Sequence, residues 1–183
     1  ALGLSRPHMP YKGLIMAILI SPMIVPLIIT AAGMFFFYAR INLVYTFSGV
    51  ILAHVALATP FVVITVTATL VGFDMNMVKA AQSLGARPVR TFFKVIMPLI
   101  LPGVISGALF AFITSFDEVV IVMFMASLDQ LTIPKQMWAG IRQEISPVIL
   151  CMATCLVVLS IFLLTTVELL RRRSEKLRGI TAR

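Results

Sequence analysis

The stretch DMNMVKAAQSLGARPVRTFFKVIMPLILP, residues 74–102, decides how the rest of the chain is interpreted. It combines a short amphipathic segment, a glycine, a basic turn and the start of a long apolar run. Asp74 is placed to cap a helix, because its carboxylate can accept hydrogen bonds from the free N–H groups of a first turn. Gly85 stands where helices commonly end on a left-handed residue, and Pro88 suits the first turn of the next helix. Since both flanks are apolar enough for a membrane, this piece is predicted to be an exposed loop between two spans.

One face of the first helix in this stretch is predicted to be a narrow apolar stripe. Four residues with helical spacing form it: Met77, Ala80, Ala81 and Leu84. Lys79, Gln82 and Ser83 occupy much of the opposite face. Because Ala80 and Ala81 give the stripe small side chains at its centre, it is predicted to dock closely into a groove on another protein.

The same stretch resembles the "EAA" loop of the membrane subunits of ATP-binding-cassette importers. Four residues keep the spacing of that pattern: Ala80, Ala81, Gly85 and Pro98. Lys79 replaces its glutamate, and Val95 and Met97 conservatively replace its isoleucine and leucine. In that family the loop is a coupling helix that seats in a cytoplasmic ATPase subunit. The resemblance therefore implies a set of coupling residues: Asp74, Met77, Lys79, Ala80, Ala81, Leu84 and Gly85. The alternative is an ordinary interfacial amphipathic helix.

Composition independently indicates a membrane protein. The chain has 183 residues, is 60% hydrophobic and has a mean hydropathy of +1.06. A spanning helix needs about 20 apolar residues, and four stretches qualify, at about 14–38, 45–73, 95–116 and 147–170. The predicted fold is therefore all-α, a polytopic transmembrane helical bundle in a single domain over residues 1–183. Residues 74–94 are predicted to form the loop between its second and third spans. Residues 117–146 are predicted to form an outer segment between its third and fourth spans. The resemblance further implies two more spans before residue 1, as in a six-span permease.

The distribution of charge predicts the orientation. With four spans, both termini and the 74–94 loop share one side, which holds all but three of the fifteen Lys and Arg residues. The positive-inside rule places that side in the cytoplasm. The resemblance implies that the membrane is the inner membrane of a prokaryote. The net charge of +8 is thus assigned to orientation and to contact with membrane lipid, and nucleic-acid binding is not predicted.

Two adjacent carboxylates, Asp117 and Glu118, follow the third predicted span. They are either solvated acids at the membrane surface or a cation-attracting pair at the mouth of a pathway. Adjacent helical residues point about 100° apart, so only one of them is expected to face a pore. The apolar run after Glu118 is too short to span and is predicted to be re-entrant or outward-facing. Residues 135–144 are predicted to form a surface helix carrying Trp138, an interfacial anchor or a contact for a binding protein.

Several residues within the spans are given structural interpretations. Gly103 and Gly107 form a G-x-x-x-G pattern that permits close helix approach, and the resemblance implies packing near a partner membrane subunit. His54 is predicted to be neutral and bonded to a neighbouring carbonyl, and Pro22 and Pro26 are predicted to interrupt the first span. Other polar or sulfur-containing residues are predicted to form interhelical hydrogen bonds or to be buried: Thr65, Thr67, Thr69, Cys151 and Cys155.

The function predicted from these features is transport. The sequence has no G-x-x-x-x-G-K-[ST] phosphate-binding loop, so it is not predicted to be an enzyme or to hold a cofactor or metal. ATP and Mg²⁺ are expected on a partner ATPase dimer. The segments SFDEVVIVMF and LTIPKQMWAGIRQEISP resemble the polyamine (spermidine/putrescine) branch of importer permeases. That branch implies a distinct second permease subunit and a periplasmic solute-binding protein. The alternatives are an importer permease for another small solute, an ion-gradient-driven transporter or channel, and a membrane scaffold or sensor.

Overall fold

The structure, a computed structural model, describes residues 1–6, 8–143 and 146–177, and this part of the chain is helical without any β-strand. Three helical stretches are long and apolar enough to cross a membrane, Phe47–Val71, Pro88–Phe116 and Pro147–Thr166. The predicted all-α fold is confirmed. The helices, in chain order, are α1 Lys12–Ile24, α2 Leu27–Arg40, α3 Phe47–Val71, α4 Asn76–Ser83, α5 Pro88–Thr91, α6 Met97–Phe116, α7 Val120–Met125, α8 Ile133–Gln143 and α9 Pro147–Leu177.

The stretch predicted as the first span is broken into two helices. The axes of α1 and α2 are bent by 109°. Val25 between them is extended, with φ −71° and ψ 136°. The residue before a proline is forced out of the helical region, and Pro26 cannot donate a backbone hydrogen bond. The predicted interruption of the first span therefore occurs at Pro26, whereas Pro22 lies within α1.

The helix α7 lies in the interior of the bundle. Its residues Ile121, Val122 and Met125 are completely buried. Ile121 and Met125 form an apolar cluster with Ala31 of α2 and with Ala53 and Leu57 of α3. Most of the apolar run after Glu118 is therefore buried against other helices of the chain, although Met123 is exposed.

Glycines allow α3 and α6 to approach each other closely. A Cβ atom at Gly103 would lie 2.8 Å from the Cβ of Thr69, and one at Gly107 would lie 3.2 Å from the Cα of Val62. An apolar cluster continues this contact: Val66, Leu70 and Ile100. The two glycines thus face α3 of the same chain, whereas the sequence placed them near a second membrane subunit.

The threonines of α3 also differ from the prediction. The hydroxyl of Thr65 donates to the carbonyl of Phe61 at 2.7 Å, and that of Thr69 donates to the carbonyl of Thr65 at 2.9 Å. Thr67 is buried, and its hydroxyl has no partner among the described residues. The bonds of Thr65 and Thr69 run along α3 instead of between helices, because the facing surface of α6 presents glycines without polar side chains.

The last helix, α9, is largely exposed on the outside of the bundle. Cys151 and Cys155 are exposed on it, so the prediction that both are buried is wrong for this chain. At the other end of α9, Arg172 Nε donates to Glu168 Oε1 at 2.8 Å, across one helical turn.

Candidate functional site

The ends of α4 are fixed by the residues that the sequence singled out. Asp74 Oδ1 accepts a hydrogen bond from the N–H of Asn76 at 2.9 Å, which caps the first turn. Gly85 has φ +78°, a left-handed conformation that glycine adopts without steric cost. The N–H of Ala86 donates to the carbonyl of Ala81 at 3.0 Å, and that of Gly85 donates to Gln82 at 2.9 Å. These two bonds form a Schellman motif that ends the helix.

The outward face of α4 is apolar, and most of its side chains are exposed. The side chain of Leu84 is 88% exposed and that of Met77 is 48% exposed, and Ala80 between them is exposed as well. Ala81, predicted in the same stripe, is only half-exposed. Val78 was not predicted to contact anything, yet it turns toward the bundle and lines a crevice there.

That crevice joins α4 to the end of the bundle where α3 ends and α5 begins. It has a volume of about 300 Å³ and is lined by Val78 and Gln82 of α4, Phe73 after α3, and Thr91 of α5. Thr91 is buried, and its hydroxyl donates to the carbonyl of Arg87 at 3.2 Å. These contacts seat α4 on the start of the long helix that continues into α6.

A wide turn connects α5 to α6. Residues Phe92–Ile96 form one π-helical stretch immediately before α6. Pro98 lacks the N–H group that an α-helix would bond to the carbonyl of Lys94, and its ring crowds that carbonyl. A π-turn accommodates such a mismatch. The segment that matched the end of the "EAA" pattern is therefore an irregular joint between α4 and α6.

At the C-terminal end of α6, the two adjacent carboxylates separate. The Glu118 side chain is 6% exposed, and its Oε1 accepts from the N–H of Ile121 at 2.7 Å. Glu118 is therefore the N-terminal cap of α7. Asp117 is exposed and lines a cavity. Glu118 is thus neither a solvated acid nor a residue of the cavity wall, and Asp117 is the carboxylate that faces the cavity.

The cavity beside Asp117 is aromatic. It has a volume of about 550 Å³ and lies between α6, α8 and α9. Its lining includes Phe112 and Phe116 of α6 and Trp138 of α8. The rings of Phe112 and Phe116 stack with centroids 5.3 Å apart. The cavity therefore offers one carboxylate at the edge of a mostly apolar, aromatic wall.

A second cavity lies on the other side of the two phenylalanines. It has a volume of about 540 Å³ and is lined by His54 and Ser115 in addition to Phe112 and Phe116. His54 Nδ1 lies 2.9 Å from Ser115 Oγ. The imidazole is therefore bonded to a hydroxyl of α6, whereas the sequence predicted a carbonyl as its partner.

A lysine that the sequence did not single out holds the far end of α7. Lys135 Nζ donates to the carbonyl of Val122 at 3.2 Å and to that of Ala126 at 3.4 Å. Partial burial lowers the pKa of the Lys135 ammonium from its usual value. With Glu118 at the N-terminus and Lys135 at the C-terminus, side-chain charges complement both ends of the helix dipole. No spacing pattern in the sequence indicates this contact, because 13 residues separate Lys135 from Val122.

A multi-span helical bundle with a capped amphipathic helix at one end and an acid-edged cavity at the other has the parts of a transport permease. Residues 2–176 match the family described as "Binding-protein-dependent transport system inner membrane component", and the chain belongs to that family. The resemblance stated from residues 74–102 is thereby confirmed. Members of this family are transport subunits of the inner membrane, so the chain is a multi-pass permease subunit and not an enzyme.

Named relatives are permeases of polyamine transport systems. The chain is 31% identical over 175 residues to the spermidine/putrescine transport system permease protein PotC of Haemophilus influenzae, covering 96% of the chain and 68% of PotC. It is 30% identical over 176 residues to PotC of Escherichia coli K12, covering 96% and 67% of the two chains. It is 36% identical over 103 residues to the putrescine permease PotI of that strain, covering 56% and 37%.

Proposed function

We propose that this chain is a permease subunit of an ATP-driven importer that translocates polyamines or a related small cationic solute. The named relatives support the substrate class. The observation that carries it within this chain is the position of Asp117 at the edge of an aromatic cavity. A polyamine combines ammonium groups with an alkyl chain, and these match a carboxylate and an apolar aromatic wall respectively. Ammonium groups also interact favourably with aromatic faces.

The proposed partners are those that a binding-protein-dependent system requires. A periplasmic binding protein delivers the solute to the outer side, a second permease subunit completes the pathway, and a cytoplasmic ATPase dimer supplies the energy. The exposed face of α4, around Ala80 and Leu84, docks into the ATPase. In this arrangement α4 and both ends of the chain lie in the cytoplasm, as the positive-inside rule predicts.

The proposed transport cycle uses the two ends of the bundle in sequence. Closure of the ATPase dimer on binding ATP moves α4, and the attached helices rock between inward-open and outward-open forms. In the outward-open form, the cavity at Asp117 receives the solute from the binding protein. Neutralisation of the ammonium by the carboxylate offsets part of the loss of its hydration in this low-dielectric site.

The test is uptake of labelled putrescine and spermidine into proteoliposomes that contain the permease with its partner subunits, ATP and binding protein. The variant is Asp117→Asn, which keeps the size of the side chain and removes its charge. Hydrogen bonds to charged groups contribute about 1.5–3 kcal/mol, so we expect the uptake rate to fall by about tenfold or more. Asp129→Asn is the matched control, because Asp129 is an outer acid that does not line the cavity.

The outcomes separate the parts of the proposal. Unchanged uptake by Asp117→Asn would remove this carboxylate from the pathway. A wild-type system that transports neither polyamine would refute the substrate class. Polyamine uptake that follows an imposed ion gradient without ATP would replace the ATP-driven importer by a secondary transporter.

A further inference from the structure

One face of α8 forms a wall of the cavity that Asp117 lines. Four residues of α8 lie in that wall and recur with the spacing of a helical stripe: Pro134, Met137, Trp138 and Ile141. The largest of them, Trp138, is still 49% exposed. Its position is therefore set by where the backbone of α8 lies, and not by dense packing around its ring. Whatever fixes α8 also fixes this aromatic part of the cavity.

Lys135 fixes the first turn of α8 to the buried helix α7. Its Nζ donates to the carbonyl of Val122 at 3.2 Å and to that of Ala126 at 3.4 Å. Among the described residues, no other hydrogen bond joins α8 to α7. Val122 is completely buried and Ala126 nearly so, so the anchor lies in the interior of the bundle. Lys135 and Trp138 are three residues apart, so about one helical turn separates the anchor from the ring.

The charge of Lys135 is kept out of the cavity. Its side chain lines neither the cavity at Asp117 nor the one at His54. The ammonium lies instead at the C-terminal end of α7, where the free carbonyls of a helix favour a positive charge. The cavity wall therefore gains a fixed aromatic ring without gaining a cation that would repel a cationic solute.

We propose that Lys135 is a positioning residue for solute transport, because it holds α8, and with it Trp138, in the wall of the cavity that receives the solute at Asp117. Lys135 does not contact the solute and acts through Trp138. The inference rests on the proposed entry of a cationic solute into this cavity. Without the anchor, the first turn of α8 loses its hydrogen bonds to α7, and the aromatic ring loses its fixed position toward the ammonium groups of the solute.

The experiment measures uptake of labelled putrescine and spermidine into proteoliposomes that contain the permease with its partner subunits, binding protein and ATP. At a sub-saturating solute concentration, we expect Lys135→Met to lower the rate by roughly fivefold or more, within the range of couplings between residues in contact. Lys135→Arg should stay within about twofold of the wild type, because arginine still donates to the carbonyls. Ile121→Val is the structural control. It loosens α7 by removing a buried methylene group but leaves the bonds of Lys135 in place, so uptake should match the wild type.

A double-variant cycle separates this role from a purely structural one. If Lys135 acts through Trp138, then Trp138→Ala removes the ring that Lys135 positions and should lower uptake at least as much as Lys135→Met. Adding Lys135→Met to Trp138→Ala should therefore change uptake by less than about twofold. Two residues that act separately would instead give losses that multiply in the double variant.

Three results would overturn the inference while leaving the proposed function intact. Wild-type uptake by Lys135→Met would show that transport does not need the anchor. An equal loss in Ile121→Val would assign the effect to the stability of α7. Losses that multiply in the double variant would assign it to a place other than Trp138. A wild-type system that transports neither polyamine would refute the proposed function, and the inference with it.

Discussion

Replacing Lys135 by methionine is expected to loosen α7. Methionine keeps the length and the apolar stem of the side chain but cannot donate to the two carbonyls at the end of the helix. The carbonyl of Val122 would keep the hydrogen bond that it accepts from the N–H of Ala126 at 3.0 Å. The carbonyl of Ala126 has Lys135 as its partner in the described part of the chain, and Ala126 is 6% exposed. The substitution therefore leaves one buried carbonyl without a hydrogen bond.

The size of the effect follows from two opposing contributions. A buried carbonyl left without a partner costs about 1–3 kcal/mol. Removing the ammonium recovers part of this, because the partial burial that lowers the pKa of Lys135 also removes part of the hydration of its charge. We expect a net loss of about 1–2 kcal/mol in the local stability of α7, or roughly 5- to 30-fold more frequent opening.

Hydrogen–deuterium exchange of the α7 amides in the purified permease measures this opening. Exchange over Val120–Met125 should accelerate by roughly 5- to 30-fold in Lys135→Met, and Lys135→Arg should lie nearer the wild type because it can still donate. Arg142→Met is the control, since Arg142 stands over the Trp138 ring at 5.9 Å on the same helix. Unchanged α7 exchange in Lys135→Met, or equal acceleration in Arg142→Met, would refute the assigned contact.

Three further substitutions test the remaining contacts. Glu118→Ala removes the carboxylate that accepts from the N–H of Ile121. It should lower the free energy of unfolding by about 1 kcal/mol, as measured by thermal unfolding in detergent. A variant that unfolds at the wild-type temperature but has lost solute uptake would instead place Glu118 in the transport pathway. Gly103→Val should destabilise the chain by about 1–3 kcal/mol, because the new side chain would contact Thr69. Adding Thr69→Ala should recover part of this loss. A double variant as unstable as Gly103→Val alone would assign the loss to another neighbour. Gly85→Asp places a non-glycine residue at φ +78° and adds a charge to the docking face of α4. ATP-driven uptake should therefore be lost, although the protein still inserts into the membrane. Retained uptake would count against coupling through α4.

The ends of α4 could be predicted from the sequence because their causes are local. Asp74 bonds a backbone N–H two residues away, and the left-handed conformation at Gly85 depends on the absence of its own side chain. A window of about a dozen residues contains all of the chemistry involved. A local contact of the same kind begins α9, where the hydroxyl of Ser146 accepts from the N–H of Val148 at 3.3 Å.

The roles of Asp117 and Glu118 could not be predicted in the same way. The two residues have nearly the same chemistry and are adjacent, so helical geometry could say only that one of them faces a pore. Their separation arises because α6 ends at Phe116 and α7 then turns into the interior. Which carboxylate becomes a cap depends on the packing of α7 against α2 and α3, a tertiary contact without a local signal. Cys151 and Cys155 were misjudged for a similar reason, because burial depends on which face of α9 meets another helix.

The two candidate sites are joined by one helix, which makes α6 central to the proposed mechanism. It continues from the joint at Phe92–Ile96, on which α4 is seated, and its other end carries Phe112, Phe116 and Asp117. Its 20 residues extend about 30 Å at 1.5 Å per residue, enough to connect the two sides of a membrane. Because glycines form its contact with α3, the two backbones pack without interlocking large side chains at that crossing. In the proposed mechanism, a displacement of α4 by the ATPase passes through the joint at Phe92–Ile96 and reaches Asp117 as a movement of α6.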